Sequence, residues 1–430
     1  MRSEELIKKQ MKKITLLVVL SFLCNIIFAS TIPTNISEYK AIIPSRTDKV
    51  RNISDSAKFY LVTCEPGDEV YARFGHSGIR VYDPINNIDE VFHWGLFSFD
   101  TPNFMGRFIA GKTDYMMGVY SRKFFMLEYI ERGSSVYAQE LDLTPEQKHK
   151  FWAKLWNNYR PENREYRYNF IYDNCATRPY QLILSTYGYK VTLNYQLHQT
   201  TYRDIINKYV PIGSPLNTGI NLIIGSQADK NITTKESVAF PMYTMDALNH
   251  THYITHDDST KPIVLAQEVM HRASNEKQKT NNLVFYSWIA IPLILALLCI
   301  TYTFKKKRYL PYFSQLILFV SGLIGIIISY LWFFSHHPLV NDNMNLLWCN
   351  PLNIILAILL FIRKKSTIRT IKVILSTLSL LLCIAFLIIL ITDIQTTTPQ
   401  IFSIWLLIIV INSTIVYTYK SKIKTLFRKK

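Results

Sequence analysis

What most constrains this chain is a run of five apolar stretches in its last third, at about 283–304, 313–334, 346–362, 369–392 and 399–419. Each is close to the ~20 residues that an α-helix needs to cross bilayer hydrocarbon. The sequence therefore predicts a bundle of five transmembrane helices, of which the third is the shortest. The 430-residue chain leaves roughly 250 residues ahead of the bundle, enough for one or two globular units.

The formal net charge of +17 raises the question of a nucleic-acid partner, and its distribution answers it. Residues from 283 onward carry +13 and the first thirteen carry +3, which leaves about +1 for the 269 residues between. The basic residues gather at Lys305–Arg308, Arg363–Lys372 and Lys420–Lys430, and the loops Ser335–Asn345 and Thr392–Gln400 have none. This is the signature of topology, with the basic segments in the cytoplasm and everything before 283 outside, so no nucleic acid is expected. Lys8, Lys9, Lys12 and Lys13 precede an apolar run from Ile14 to Ala29, the order of an export signal, either cleaved after Ala29 or kept as an anchor. The expected organisation is a signal segment at 1–29, a lead-in at 30–57, an exported domain at 58–280, the bundle at 283–419 and a basic cytoplasmic tail at 420–430. The location that follows is a membrane, multi-pass, with the N-terminal domain outside the cytoplasm.

Once this topology is set, Cys24 falls in the signal segment and Cys299, Cys349 and Cys383 fall in spans, so the exported domain holds only Cys64 and Cys175. Two cysteines in an oxidising compartment are expected to pair, and any thiol chemistry competes with that disulfide. The exported domain reads as α+β. Strand-like runs at Lys58–Thr63, Ser77–Tyr82 and Glu90–Phe99 are separated by turn residues. Thr144, Pro145 and Gln147 open a helix to about Tyr159 with a capping box. A further helix covers Tyr180–Tyr187. It starts after Asn174 or at Thr177, because Pro179 conflicts with the earlier start.

Two clusters have the residue types for chemistry: Gly75-His76-Ser77-Gly78 at a strand start, and Tyr172-Asp173-Asn174-Cys175 at the mouth of a helix. A thiolate attacks carbonyls, and a nearby imidazole and a helix N-terminus both favour that anion. Arg80, Asp173 and Arg178 lie beside these clusters and are candidates for orienting substrate or holding the fold. The outer loop from Ser335 to Asn345 carries His336, His337 and Asn343. Without a third ligand at convincing spacing the loop predicts no metal, and a role against a lipid head group fits it better. No cofactor is expected. The spans carry no embedded charge, which argues against ion-coupled transport.

Four blocks in order, FYLVTCEPGDEVYARFGHSGIRVYDP (59–84), FHWGLFSFDTPNFMGRFIAGKTDYMMG (92–118), LTPEQKHKFWAKLWNNYRPENREYRYNFIYDNCATRPY (143–180) and GINLIIGSQADK (219–230), resemble the Lnb N-terminal periplasmic domain family of Bacteroidota. The five-span tail resembles the membrane part of its full-length members. The resemblance implies a permuted papain-like fold of the NlpC and lecithin:retinol acyltransferase kind. In that fold Cys175 is the nucleophile, His76 the general base, and His93 the third member where the family often has Asn. The implied activity is lipoprotein N-acylation, with a phospholipid as acyl donor and a lipoprotein as acceptor, and the implied location is the inner membrane of a bacterium, with the N-terminal domain in the periplasm. A peptidoglycan hydrolase with the same dyad and a non-enzymatic adaptor with a Cys64–Cys175 disulfide are the competing readings.

Overall fold

The computed structural model describes residues 51–97, 101–188, 191–255, 257–273, 282–362 and 366–427. The signal segment at 1–29 and most of the expected lead-in lie outside them. Residues 51–57 belong to the globular domain: Ile53 and Ala57 are buried in its core, and Arg51 O accepts a hydrogen bond from Trp152 Nε1 at 2.6 Å.

Among the described residues, ten strands follow in chain order. They are β1 (Lys58–Cys64), β2 (His76–Asp83), β3 (Ile88–Leu96), β4 (Asp114–Ser121), β5 (Val136–Leu141), β6 (Glu165–Arg167), β7 (Val191–Leu193), β8 (Thr251–Ile254), β9 (Thr260–Pro262) and β10 (Val264–His271). Seven of them form one antiparallel sheet in the order β10-β5-β1-β2-β3-β4-β6, and β7, β8 and β9 form a small second sheet. The helices of the exported domain are α1 (Phe104–Ile109), α2 (Arg122–Glu131), α3 (Pro145–Tyr159), α4 (Thr177–Tyr187), α5 (Tyr202–Tyr209), α6 (Pro215–Ile223), α7 (Thr234–Ser237) and α8 (Pro241–Asn249).

The central strand β1 is apolar at nearly every position because both faces of the sheet are covered. Phe59 and Leu61 pack on one side with Phe151, Leu155, Tyr180, Ile183 and Leu248, from α3, α4 and α8. Val62 and Cys64 point the other way, into a second cluster with Phe125, Met126 and Tyr129 from α2. Strand alternation accounts for this division, since successive side chains leave opposite faces. The capping box expected at α3 is present: Thr144 Oγ1 accepts from Gln147 N and Gln147 Oε1 accepts from Thr144 N.

Among the described residues of the C-terminal part, four helices are long and apolar enough to cross a membrane: α9 (Asn282–Lys306), α10 (Phe313–Phe334), α12 (Ser366–Ile391) and α13 (Pro399–Phe427). The stretch expected to form the third of five spans is not one continuous helix. It consists of a 3₁₀ turn at Met344–Leu347, a break, and the eight-residue helix α11 (Leu352–Leu359). Pro351 has no N–H to continue a ladder, and Asn353 Nδ2 donates to Trp348 O at 2.9 Å, holding a carbonyl that the break leaves without a helical partner. The broken segment presses its backbone onto α10 at Gly325, where an added Cβ would lie 1.7 Å from Cys349 O. Hydropathy does not register such a break, because the residues on either side are equally apolar.

A second difference concerns Lys372, which the charge pattern assigned to a cytoplasmic connection. It lies inside α12 and is fully buried, with Nζ donating to Ile362 O at 2.6 Å and to Tyr419 Oη at 3.3 Å. The bundle therefore does contain a buried cation, seven residues into its helix.

The exported domain is hydrogen-bonded to the outer loops of the bundle. Gly225 N donates to Leu339 O at 2.7 Å and Ser226 N to Asp342 O at 3.1 Å. Asp229 Oδ1 accepts from Thr396 Oγ1 at 2.5 Å. At another point of the same interface, His336 N donates to Ala110 O at 3.0 Å and Ser335 Oγ to Ile109 O at 2.8 Å.

Candidate active site

The site is assembled where the first residues of β2, the end of β3 and the approach to α4 meet. Gly75, at φ +82°, turns the chain into β2, and a Cβ there would lie 2.5 Å from Cys64 O, so this turn requires glycine. His76 then pairs in register with Cys64, on the α2 side of the sheet, with its ring stacked on Tyr129 at 6.3 Å between centroids. His93 on β3 is buried on the same side, and its Nδ1 lies 3.1 Å from His76 Nε2. Gly95 makes room for the His76 ring: a Cβ at that position would come within 2.6 Å of His76 Cε1.

Cys175 lies two residues ahead of α4, which begins at Thr177, the later of the two starts compatible with Pro179. Asn174 holds this approach in place. Its Oδ1 accepts from Ala176 N (2.8 Å) and Thr177 N (3.0 Å), and its Nδ2 donates to Phe170 O (2.7 Å) and Ala239 O (2.9 Å). All four bonds are satisfied in a side chain that is only 3% exposed. The half-buried Cys175 sulfur is met by two backbone N–H groups, its own and that of Ser77, the residue directly after His76.

Burial dominates the electrostatics. It pushes the Cys175 thiol up to about 11, against the pull of the Ser77 and Cys175 N–H groups. Burial also lowers His93 to about 4. His76 is held well below its ordinary value by burial first, then by His93 and Arg132. At neutral pH the Cys175 thiol and the His76 and His93 imidazoles are all neutral. His93 Nε2 has no hydrogen-bond partner and sits against Gly118, where a Cβ would lie 3.1 Å away. Three phenols that sequence reasoning missed, Tyr115, Tyr166 and Tyr168, lie within the field of Cys175 and are raised chiefly by their own burial.

Cys64 and Cys175 are both free thiols, which removes the disulfide expected on base rates and the adaptor built on it. Cys64 is fully buried behind β2 among Val62, Phe125 and Tyr129, and its burial raises it well above an ordinary thiol.

The structure places the remaining candidates as follows. Arg80 makes a two-point ion pair with Asp89 (2.7 and 3.1 Å) and lies over the Tyr60 and Tyr82 rings, four residues along β2 from His76. Asp173 and Arg178 bind each other through two hydrogen bonds of 2.5 and 2.8 Å, and the Arg178 guanidinium lies 3.7 Å above the centre of Tyr166. This pair braces the entrance of α4. His337 Nε2 bonds to Phe108 O, and with His336 it lines a cavity of about 470 Å³ shared with Asn169, Tyr172 and Lys230. Asn343 differs from the expectation of a substrate contact. It is fully buried, accepts from Asn345 N at 3.0 Å and donates to Leu222 O at 2.9 Å, so its polar atoms are used in joining α6 to the outer loop. Among the described residues, no group of three His, Cys, Asp or Glu side chains is gathered to hold a metal.

Fold and site together define a membrane-tethered protein whose sheet-rich outer domain holds a buried histidine pair and a free thiol at the mouth of α4. Two family models match it: the Lnb N-terminal periplasmic domain over residues 46–209 and the Lnb transmembrane domain over residues 280–426. The chain belongs to the Lnb family. It is thus a membrane enzyme of the lipoprotein-processing type with a periplasmic domain. No curated protein and no solved structure matches the chain significantly.

Proposed function

We propose that this protein is a lipoprotein N-acyltransferase of the bacterial inner membrane. It moves an acyl chain from a phospholipid, through a thioester on Cys175, to the α-amino group of the lipidated N-terminal cysteine of a lipoprotein. The observation that supports this reading is the position of Cys175: a half-buried thiol whose sulfur meets the backbone N–H of Ser77, the residue that follows His76 of the His76–His93 pair, in a domain hydrogen-bonded to the outer loops of a membrane bundle. A chain order of strand histidine, strand histidine and then cysteine at a helix mouth is that of the permuted papain-like folds.

The resting thiol is neutral, so its proton leaves as the sulfur attacks the ester carbonyl, with His76 as general base. The 3.1 Å contact between the rings admits two tautomer arrangements. Only one leaves His76 Nδ1 free to accept a proton, namely that in which His76 Nε2–H donates to His93 Nδ1. His93 then carries its own proton on the unpartnered Nε2. The Ser77 and Cys175 N–H groups meet the sulfur in the resting site, and in this reading the same two donors stabilise the carbonyl oxygen once the sulfur has bonded to carbon. The proton on His76 passes to the departing lysophospholipid oxygen. In the second half-reaction His76 accepts a proton from the attacking amine, and the thiolate leaves and is reprotonated. Exclusion of water by the bound lipid would protect the thioester from hydrolysis.

The test is mass spectrometry of lipoprotein N-termini from cells carrying the wild type, Cys175→Ala or Cys64→Ala. The acyltransferase reading expects free N-terminal amines with Cys175→Ala and normal acylation with Cys64→Ala. Unchanged lipoproteins together with altered wall peptides would establish the hydrolase instead.

A further inference from the structure

A row of aromatic rings leads from tyrosines within the field of Cys175 to the bilayer side of the domain. Tyr168 and Tyr115 stack with centroids 4.1 Å apart and planes 16° from parallel. Tyr115 stacks on Phe97 at 4.9 Å and 17°, Phe97 on Phe104 at 6.1 Å and 20°, and Phe104 on Phe108 at 6.2 Å and 19°. Phe108 meets His337 edge-on at 5.4 Å. At the inner end, Tyr115 also contacts Tyr166 at 6.4 Å, and Tyr166 lies under Arg178, three residues after Cys175. At the outer end, Ile109 O and Ala110 O are bonded to Ser335 and His336, the residues that directly follow the last turn of α10.

The rings of Phe97, Phe104, Tyr115 and Tyr168 are half-buried rather than sealed in the core, so they form the floor of a track. The outer rim of the track is apolar. On α1, Met105 is 66% exposed, Phe108 44% and Ile109 39%, and the neighbouring end of α10 exposes Phe333 and Phe334. The one charge on this helix, Arg107, is paired with Asp114. An apolar rim continuous with the lipid-facing end of a span fits a hydrocarbon ligand better than a sugar or a peptide, which would need polar partners along the way. The ring-to-ring path is on the order of 20 Å, longer than the ~15 Å of hydrocarbon in one leaflet. Tails in a leaflet are disordered and shorter than their extended length, so one extended acyl tail is commensurate with the row from Tyr168 to Phe108.

We propose that Tyr168, Tyr115, Phe97, Phe104 and Phe108 form the seat of the donor's acyl tail, and that α1 dips Met105, Phe108 and Ile109 into the outer leaflet to receive it. The word donor rests on the acyl-transfer reading; the lipid seat itself does not.

The test uses the full-length protein in native membranes, with photoreactive benzoylphenylalanine placed in turn at Phe97, Phe104, Phe108 and, as a control, Ile85. Ile85 is 72% exposed and lies in the turn between β2 and β3, at the far end of β2 from His76. Phospholipid adducts at the three ring positions, at least tenfold above Ile85, are the expected result; adducts at control level overturn the proposal. A second arm measures acylated Cys175: Phe104→Glu should lower it at least tenfold and Phe104→Leu should not. Iodoacetamide labelling of Cys175 in both variants checks that the site is folded, and full acylation in Phe104→Glu would also overturn the seat. If the wild type never acylates Cys175 yet the ring positions crosslink to lipid, the lipid seat stands and the acyl-transfer reading fails. If the wild type is acylated and no ring position crosslinks, the seat alone fails.

Discussion

The resting charge of Cys175 can be tested by how fast it alkylates as pH changes. With the thiol pushed up to about 11, the fraction present as thiolate at pH 7 is about 10⁻⁴. Alkylation follows that fraction, so the rate at Cys175 should rise about tenfold per pH unit, or about a thousandfold between pH 6 and pH 9. A preformed thiolate–imidazolium pair behaves differently, because its thiolate is already present at pH 6 and its rate is flat over the same range. The assay is iodoacetamide labelling of the full-length protein in detergent, quantified by mass spectrometry on the Cys175 peptide, with a denatured sample as reference. The reference should level off near the ordinary thiol value of ~8.5, and the native protein should still be climbing there. His76→Ala should leave the slope unchanged, since a neutral imidazole does not generate the resting thiolate. A rate independent of pH between 6 and 9 would refute the argument that burial outweighs the two N–H groups, and general-base attack would give way to a standing ion pair.

Three further outcomes follow from the same geometry. Asn174→Ala leaves the buried carbonyls of Phe170 and Ala239 and the first N–H groups of α4 without partners; a loss of about 3–5 kcal/mol is expected, read as a strongly lowered thermal midpoint of the full-length protein. At His93, an Asn still accepts from His76 Nε2 and should retain activity within about tenfold, whereas His93→Leu, which cannot select the tautomer, should lose about a hundredfold or more in lipoprotein acylation. The depressed histidines also make the fold acid-sensitive. The unfolded chain binds a proton near pH 6.5 and folded His93 only near 4, so stability is full above 6.5 and falls by about 1.4 kcal/mol per pH unit toward 4, with His76 adding in the same direction. Melting at pH 5 should therefore occur below melting at pH 7.5, and His93→Gln should reduce that difference; equal midpoints would contradict the burial argument.

The features legible in the sequence are those carried by neighbouring residues. Hydropathy over twenty residues located α9, α10, α12 and α13, because crossing a bilayer depends on the composition of one contiguous segment. The Thr144–Gln147 cap was legible for the same reason, since its partners are three residues apart. The strands bearing His76 and His93 showed in their composition and turn residues, and Cys175 showed as a chemical type at a helix mouth. Everything that depends on distant residues meeting was decided by the tertiary structure. That Cys64 and Cys175 remain unpaired, that Asn343 is spent on Leu222, and that Lys372 finds Tyr419 inside the bundle are facts about contacts no local pattern encodes. The break before α11 stays hidden because the backbone contact at Gly325, rather than any change in hydropathy, stabilises it. The aromatic row and its link from Phe108 to His337, 229 positions apart, exist only after the sheet has formed and the domain has settled on the bundle. Side-chain type and short-range order are properties of the chain, whereas burial, proton affinity and the course of a lipid path are properties of its packing.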